Sequence, residues 1–280
     1  MHANISGTRI HYLVEGEGLP CMIPSLAGTP IYERTFSANL RRHLKLIFVE
    51  PRGNRSELGD VTSLTLDRIV DDLDQLRAEL KLGRIAILGH SAHGFVALRY
   101  AVRHPDHTSH AIVIGGIPAM DESFPPQQEK HWAMIASQER KELLLQNRER
   151  VKDALSNATP DDGIIINYIA NGPMIWYDAR FDCTDLWKGH SSSAQIFQRF
   201  WGSGGEFSRV DPRVEFPKVS CPVLIASGVF DFAAVPTAWH KFKDLLANHS
   251  YRAFEKSGHY PHFEEQPLFD ATLLEWLKRN

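Results

Sequence analysis

The 280 residues carry 31 Lys and Arg against 34 Asp and Glu, a formal charge of -3 with no basic stripe or acidic tail; that balance argues against a nucleic-acid or anionic-membrane partner and favours a small molecule. With 43% hydrophobic residues the chain can bury a large core, the size of one α/β catalytic domain with an insertion. Cys21, Cys183 and Cys221 are odd in number and too widely spaced for a disulfide framework or a metal knuckle, and there is neither a signal-peptide pattern nor an apolar run of ~20 residues, so a cytoplasmic protein with no membrane span is expected.

In chain order, β-prone apolar runs fall first at Arg9–Val14, Cys21–Leu26 and Leu44–Glu50. Leu66, Ile69, Val70, Leu73, Leu76, Leu80 and Leu82, at spacings of three and four, predict an amphipathic helix. The run Ile85–Leu88 ends in Gly89-His90-Ser91 and passes directly into a helix carried by Phe95, Val96, Leu98, Tyr100 and Ala101, which stops before Pro105. His110–Ile114 predicts the next strand, and then the alternation breaks. Residues 118–217 read as helical and unusually aromatic, with Trp132, Tyr168, Trp176, Tyr177, Phe181, Trp187, Phe197, Phe200 and Trp201. Strands resume at Val223–Ala226 and Tyr251–Phe254, and a helix from Pro267 to Lys278 closes the chain. This order predicts an α/β fold with a doubly wound, mostly parallel sheet built from residues 1–117 and 218–280, and an α-helical lid at 118–217.

In such a sheet, ligands bind outside the carboxyl ends of the strands, so chemistry should follow strand-like runs. Ser91 does so at a sharp strand-to-helix turn, where its hydroxyl stands exposed and the Ala92 N–H is aimed at the same point. Asp231 follows Val223–Gly228, and His259 follows Tyr251–Glu255. A serine hydroxyl is a weak nucleophile at neutral pH and needs a base such as His259, whose other ring nitrogen a buried carboxylate, Asp231, would orient. The second oxyanion N–H should come from the loop Ser25-Leu26-Ala27-Gly28-Thr29-Pro30, with Thr29 as first choice and Leu26 as the fallback. Of the remaining histidines, His90 is read as a packing or hydrogen-bonding group below the turn, His93 as filling space or else lining the pocket, and His262 as a loop residue. No H-E-x-x-H, paired C-x-x-C or glycine-rich phosphate loop occurs, so neither metal nor cofactor is expected.

Together these features resemble the α/β-hydrolase superfamily, and within it the lidded proline iminopeptidase-like branch, over nearly the whole chain. Gly28-Thr29-Pro30 is similar to the H-G-x-P oxyanion loop, Arg52-Gly53-Asn54-Arg55-Ser56 to R-G-x-G-x-S, Gly228-Val229-Phe230-Asp231 to the acid loop, and Ser257-Gly258-His259 with Glu264-Glu265-Gln266-Pro267 to the histidine loop. Ala27, Arg55 and His93 depart from that pattern, His93 standing where the second glycine of G-x-S-x-G belongs. The resemblance implies a serine hydrolase. The aromatic lid favours a small, largely apolar ester of the carboxylesterase or lactonase type. An aminopeptidase specific for N-terminal proline is the alternative, with Glu122, Glu206 or Glu215 as partners for the substrate amine. A non-hydrolytic use of the fold, as a cofactor-free oxygenase or a ligand receptor, is a second alternative.

Overall fold

The structure, a computed structural model, describes residues 1–53, 61–190 and 192–280. Eight strands build one sheet: β1 (His2–Ile5), β2 (Thr8–Glu15), β3 (Leu19–Pro24), β4 (Leu44–Glu50), β5 (Ile85–His90), β6 (Thr108–Ile114), β7 (Val223–Gly228) and β8 (His249–Phe254). Their spatial order is β1-β2-β4-β3-β5-β6-β7-β8. The β1–β2 and β2–β4 pairs are antiparallel, and every other pair is parallel. β1 has too few apolar residues to be read from sequence. It forms because Ser6 and Gly7 both adopt positive φ, 49° and 79°, the turn that matches the twist of a two-residue hairpin. β3 ends at Pro24, two residues short of the apolar run, because the chain turns there into a loop.

Side chains along the central strands alternate between two apolar layers. Ile47, Val49, Ile87, Val113 and Ile225 enter one; Leu46, Phe48, Leu88, Ile112 and Leu224 enter the other. Burial on both faces explains why these strands read as unbroken apolar runs rather than alternating ones. The helices α1 (Pro30–Thr35), α2 (Leu66–Glu79) and α3 (His93–Arg103) follow β3, β4 and β5 in turn. In α2 the Thr65 hydroxyl accepts the Arg68 N–H as a cap, and Leu66, Ile69, Val70, Leu73 and Leu76 form the buried stripe that the spacing predicts. Between β6 and β7 the described residues contain helices and no strand: α4 (Phe124–Ile135), α5 (Gln138–Arg150), α6 (Lys152–Asn157), α7 (Pro160–Ala170), α8 (Gly172–Ile175), α9 (Ala194–Trp201) and α10 (Pro212–Glu215). After β8 come α11 (Pro261–Glu264) and α12 (Gln266–Arg279). No helix among the described residues is long and apolar enough to cross a membrane, and Cys21, Cys183 and Cys221 are all free and buried.

Because β3 lies between β4 and β5, the chain leaves β3 in one direction across the sheet and leaves β5 in the other. The loops after these two strands therefore diverge and open a crevice at the carboxyl end of the sheet. Leu26, Ala27 and Ser91 border it.

Candidate active site

Ser91 has φ 58°, a left-handed conformation that a side chain other than glycine adopts only at a cost of roughly 1–3 kcal/mol, repaid here by surrounding contacts. Its N–H donates to the Ile114 carbonyl at 2.8 Å, tying the turn to β6, and its own carbonyl accepts the Gly94 N–H at 3.0 Å, starting α3. The tightness of the turn demands glycine twice. A Cβ on Gly89 would lie 2.1 Å from the His93 carbonyl oxygen, and one on Gly94 2.8 Å from Val113 Cγ1. The glycine of the usual pattern is thus needed one residue later than expected, at Gly94. Among the described residues no acceptor takes the Ala92 N–H.

Asp231 and His259 form a buried pair, with the His259 Nδ1–H donating to Asp231 Oδ2 at 2.7 Å. The other carboxylate oxygen accepts the Ala233 and Ala234 N–H groups at 2.9 and 2.7 Å. With every carboxylate contact an acceptor contact, the proton sits on Nδ1 and the Nε2 lone pair is left for an incoming proton. Ser91 Oγ makes no hydrogen bond to His259 here. Two consecutive glycines at the end of β6 bring the groups together: a Cβ on Gly116 would lie 3.1 Å from the Ser91 carbonyl oxygen, and one on Gly115 3.1 Å from His259 Nδ1 and 3.3 Å from Asp231 Oδ2.

The other histidines have defined roles. The backbone Leu26 N–H can only donate, so His93 Nε2, 2.9 Å away, is an acceptor; its Nδ1 then carries the hydrogen and donates to the His90 carbonyl at 3.0 Å. By the same reasoning His90 Nε2 donates to the His259 carbonyl at 2.8 Å, and His90 Nδ1 accepts the Tyr32 hydroxyl at 3.2 Å. Burial holds the His90 ring well below the usual histidine range and brings His93 down to about 4, so both are neutral. His93 is therefore more than the space filler the sequence suggests. His262 is also no loop residue: it lies in α11, is buried against Phe36 with rings 4.6 Å apart, and has its pKa lowered by burial to about 3.

Both expected second oxyanion donors have hydrogen-bond acceptors in this structure. Thr29 caps the N-terminus of α1, and its N–H donates to Glu50 Oε1 at 3.2 Å. The Leu26 N–H is taken by His93. Both acceptors, Glu50 and His93, are distant in sequence from the loop they bind. The three glutamates proposed to hold an amine are likewise elsewhere. Glu122 is exposed, Glu206 accepts the Leu66 N–H and pairs with Arg199 and Arg209, and Glu215 pairs with Arg99 and Lys218. In the Arg52-to-Ser56 motif, Arg52 forms a bidentate pair with Asp72; the Arg55 departure lies outside the described residues.

A glutamate the sequence reasoning quoted but gave no role is Glu264. Its carboxylate accepts the N–H groups on both sides of the base, Gly258 at 2.9 Å and Tyr260 at 3.1 Å, together with the Tyr177 N–H at 2.5 Å. Burial raises its pKa to about 7. The inter-strand helices meet the same loops: the His259 N–H donates to the Ile175 carbonyl at 2.6 Å, the Phe232 N–H to Met174, and Trp176 stacks on Tyr260 at 4.6 Å.

Ser91 opens on a cavity of about 110 Å³ whose wall includes Ile164, Ile165, Tyr168, Trp187, Phe197 and Trp201 from the inter-strand helices, and Leu26, Ala27, Tyr32, His90, His93 and Tyr260 from the sheet side. The His259–Asp231 pair lies behind this wall, the His259 ring 4.6 Å from that of His90. No Asp, Glu, Lys or Arg lines the cavity among the described residues.

A mostly parallel sheet with this crossover pattern and a positive-φ serine at the end of its central strand define an α/β hydrolase. The chain belongs to the alpha/beta hydrolase family, whose model matches residues 23–271. It is 29% identical over 275 residues to the AB hydrolase superfamily protein YclE of Bacillus subtilis (strain 168), covering 97% of this chain and 96% of that protein. It is 26% identical over 227 residues to a proline iminopeptidase of Heyndrickxia coagulans, covering 78% of this chain and 75% of that one. Among solved structures it is similar to an esterase, EaEST, from Exiguobacterium antarcticum, with a TM-score of 0.71, 20% identity and coverage of 99% and 98% of the two chains. At that identity the last likeness speaks for the fold alone.

Proposed function

We propose that this chain is a serine hydrolase that cleaves small, largely apolar carboxylic esters, including lactones, through an acyl-enzyme. The observation that carries the reading is the combination of a strained, reachable Ser91 with a buried Asp231–His259 pair beside an aromatic cavity that no Asp, Glu, Lys or Arg lines among the described residues. Ser91 Oγ attacks the ester carbonyl carbon while its proton passes to His259 Nε2, and Asp231 holds the imidazolium that forms. The oxyanion is met by the Ala92 N–H and a second N–H from the loop after β3. Collapse expels the alcohol, which takes the proton from His259. Water, deprotonated by the same nitrogen, then attacks the acyl-enzyme and releases the acid and Ser91. The helices at 118–217 act as a lid: their aromatic residues supply the acyl wall, and their contacts to the His259 and Asp231 loops fix the base.

The iminopeptidase among the relatives favours a second reading, release of an N-terminal proline. An ammonium group buried without a partner costs several kcal/mol or more, and among the described residues the wall offers no carboxylate to pair with it. Steady-state kinetics decide between the two. Values of kcat/KM for p-nitrophenyl acetate, butyrate and octanoate and for a γ-lactone are compared with that for a prolyl arylamide. Ester turnover should exceed that of the arylamide by at least ~100-fold, with the preference declining from butyrate to octanoate in so small a cavity. An arylamide preferred over every ester would overturn the assignment.

A further inference from the structure

The residue that departs most from the expected turn pattern, His93, sits where its ring can act on the oxyanion loop. Its two nitrogens bridge the Leu26 N–H and the His90 carbonyl, so one imidazole ties the first loop after β3 to the residue preceding Ser91. A glycine at this position would leave the Leu26 N–H unpaired beside the reacting serine. The ring is further confined by Tyr32, whose hydroxyl lies 3.5 Å from Nδ1, and by the Trp201 ring, edge-on with centroids 5.6 Å apart. With the Thr29 N–H held by Glu50 and the Leu26 N–H by His93, Ala27 is the loop residue in the cavity wall whose N–H is least committed, its one acceptor being Ser25 Oγ at a long 3.3 Å.

We infer that His93 is a positioning residue for the oxyanion hole: by accepting the Leu26 N–H in its Nδ1–H form, it sets the loop so that the Ala27 N–H, paired with the Ala92 N–H, meets the developing oxyanion. The inference rests on the serine-hydrolase reading above. In the resting enzyme the Ala27 N–H keeps its weak contact with Ser25 and exchanges it for the substrate oxygen as the tetrahedral centre forms. His93 takes no proton during the reaction, because its acceptor nitrogen is occupied and its donor nitrogen is bound. Among the residues named around the ring, the titratable groups are Tyr32 and His90, and neither supplies a charge that would draw a proton onto it.

Two measurements test this on the full-length protein. The first follows His93→Ala and His93→Gln with p-nitrophenyl butyrate and with a butyl boronic acid, which mimics the tetrahedral centre. Loss of one oxyanion donor lowers kcat by about 10²–10³-fold, so a donor only misdirected should lower it by ~10–100-fold. His93→Ala should do so with KM within about threefold, and boronate affinity should fall in the same proportion as kcat. His93→Gln, which restores a side-chain acceptor for the Leu26 N–H, should recover most of the loss. Equal kcat in wild type and His93→Ala overturns the inference, as does a fall in kcat with unchanged boronate affinity. The second is nitrogen-15 NMR of the histidine rings in the wild-type protein, which needs no variant to fold. His93 should remain the neutral Nδ1–H tautomer from pH 5 to 9, and an Nε2–H tautomer or titration near neutral pH refutes the assignment. If wild type neither turns over esters nor labels at Ser91, the hydrolase reading itself falls; if it does both and only the His93 results fail, the hydrolase reading stands without this one.

Discussion

Adding one methyl group at Gly115 should slow the proposed hydrolase by displacing His259, with the identity of every proposed catalytic residue unchanged. Gly115 ends the turn after β6 at φ 51°, and a Cβ there would come 2.6 Å from the His259 carbonyl oxygen, 3.1 Å from Nδ1 and 3.3 Å from Asp231 Oδ2. Ordinary contact begins near 3.4 Å, so the His259 main chain would have to retreat by 0.8 Å, the difference between 3.4 and 2.6 Å. A misplacement of ~1 Å in a catalytic group costs on the order of 10²-fold in rate, so Gly115→Ala is expected to lower kcat by about 30–100-fold. Stability suffers twice: about 1–2 kcal/mol for an alanine in the left-handed region and ~1–3 kcal/mol for overpacking. Gly7→Ala separates these effects, since Gly7 has φ 79° and nothing within 4 Å of its Cβ position. It should lose only the backbone contribution of about 1–2 kcal/mol and no activity. Urea unfolding and p-nitrophenyl butyrate turnover on the two variants and wild type measure both quantities. Turnover of Gly115→Ala within twofold of wild type would refute the reasoning, because it would mean the His259–Asp231 pair does not need its observed place.

Asp231→Asn keeps the shape of the pair but permits the wrong imidazole tautomer, and should lower kcat by about 10⁴-fold; a loss of only a few-fold in the same assay would point to another carboxylate. His262 is neutral in the folded protein down to about pH 3, whereas the unfolded chain protonates it near pH 6.5. Its depressed pKa therefore gives stability that is fully present above pH 6.5 and lost as pH falls toward 3. In that window wild type should lose about 1.4 kcal/mol per pH unit more than His262→Gln, measured by urea unfolding at a series of pH values; parallel losses would contradict the burial of a neutral ring.

What could be read from the sequence followed from local physics. β4 and β5 were legible because burial on both faces makes them unbroken apolar runs, and α2 because its stripe repeats every three to four residues. Ser91, Asp231 and His259 stood out because each follows a strand, in an order that a topological argument anticipates. What escaped were pairings made across the fold. The Leu26 N–H meets His93 across 67 positions, and the Tyr177 N–H meets Glu264 across 87. Neither contact leaves a periodic or spacing signal. β1 was missed for a different reason, since an edge strand with few buried residues rests on its turn, and Ser6-Gly7 is a weak turn signal beside Asn-Gly.

The central claim is that the Ser91 hydroxyl is the nucleophile. It is tested most directly by reacting the protein with a fluorophosphonate, mapping the adduct by peptide mass spectrometry, and following ester turnover in the same samples alongside Ser91→Ala. One adduct per chain is expected, on the peptide containing Ser91, with turnover falling in proportion to labelling. Ser91→Ala should be folded by circular dichroism and at least ~10⁴-fold slower. An adduct on another residue, or undiminished ester turnover by folded Ser91→Ala, would contradict the account.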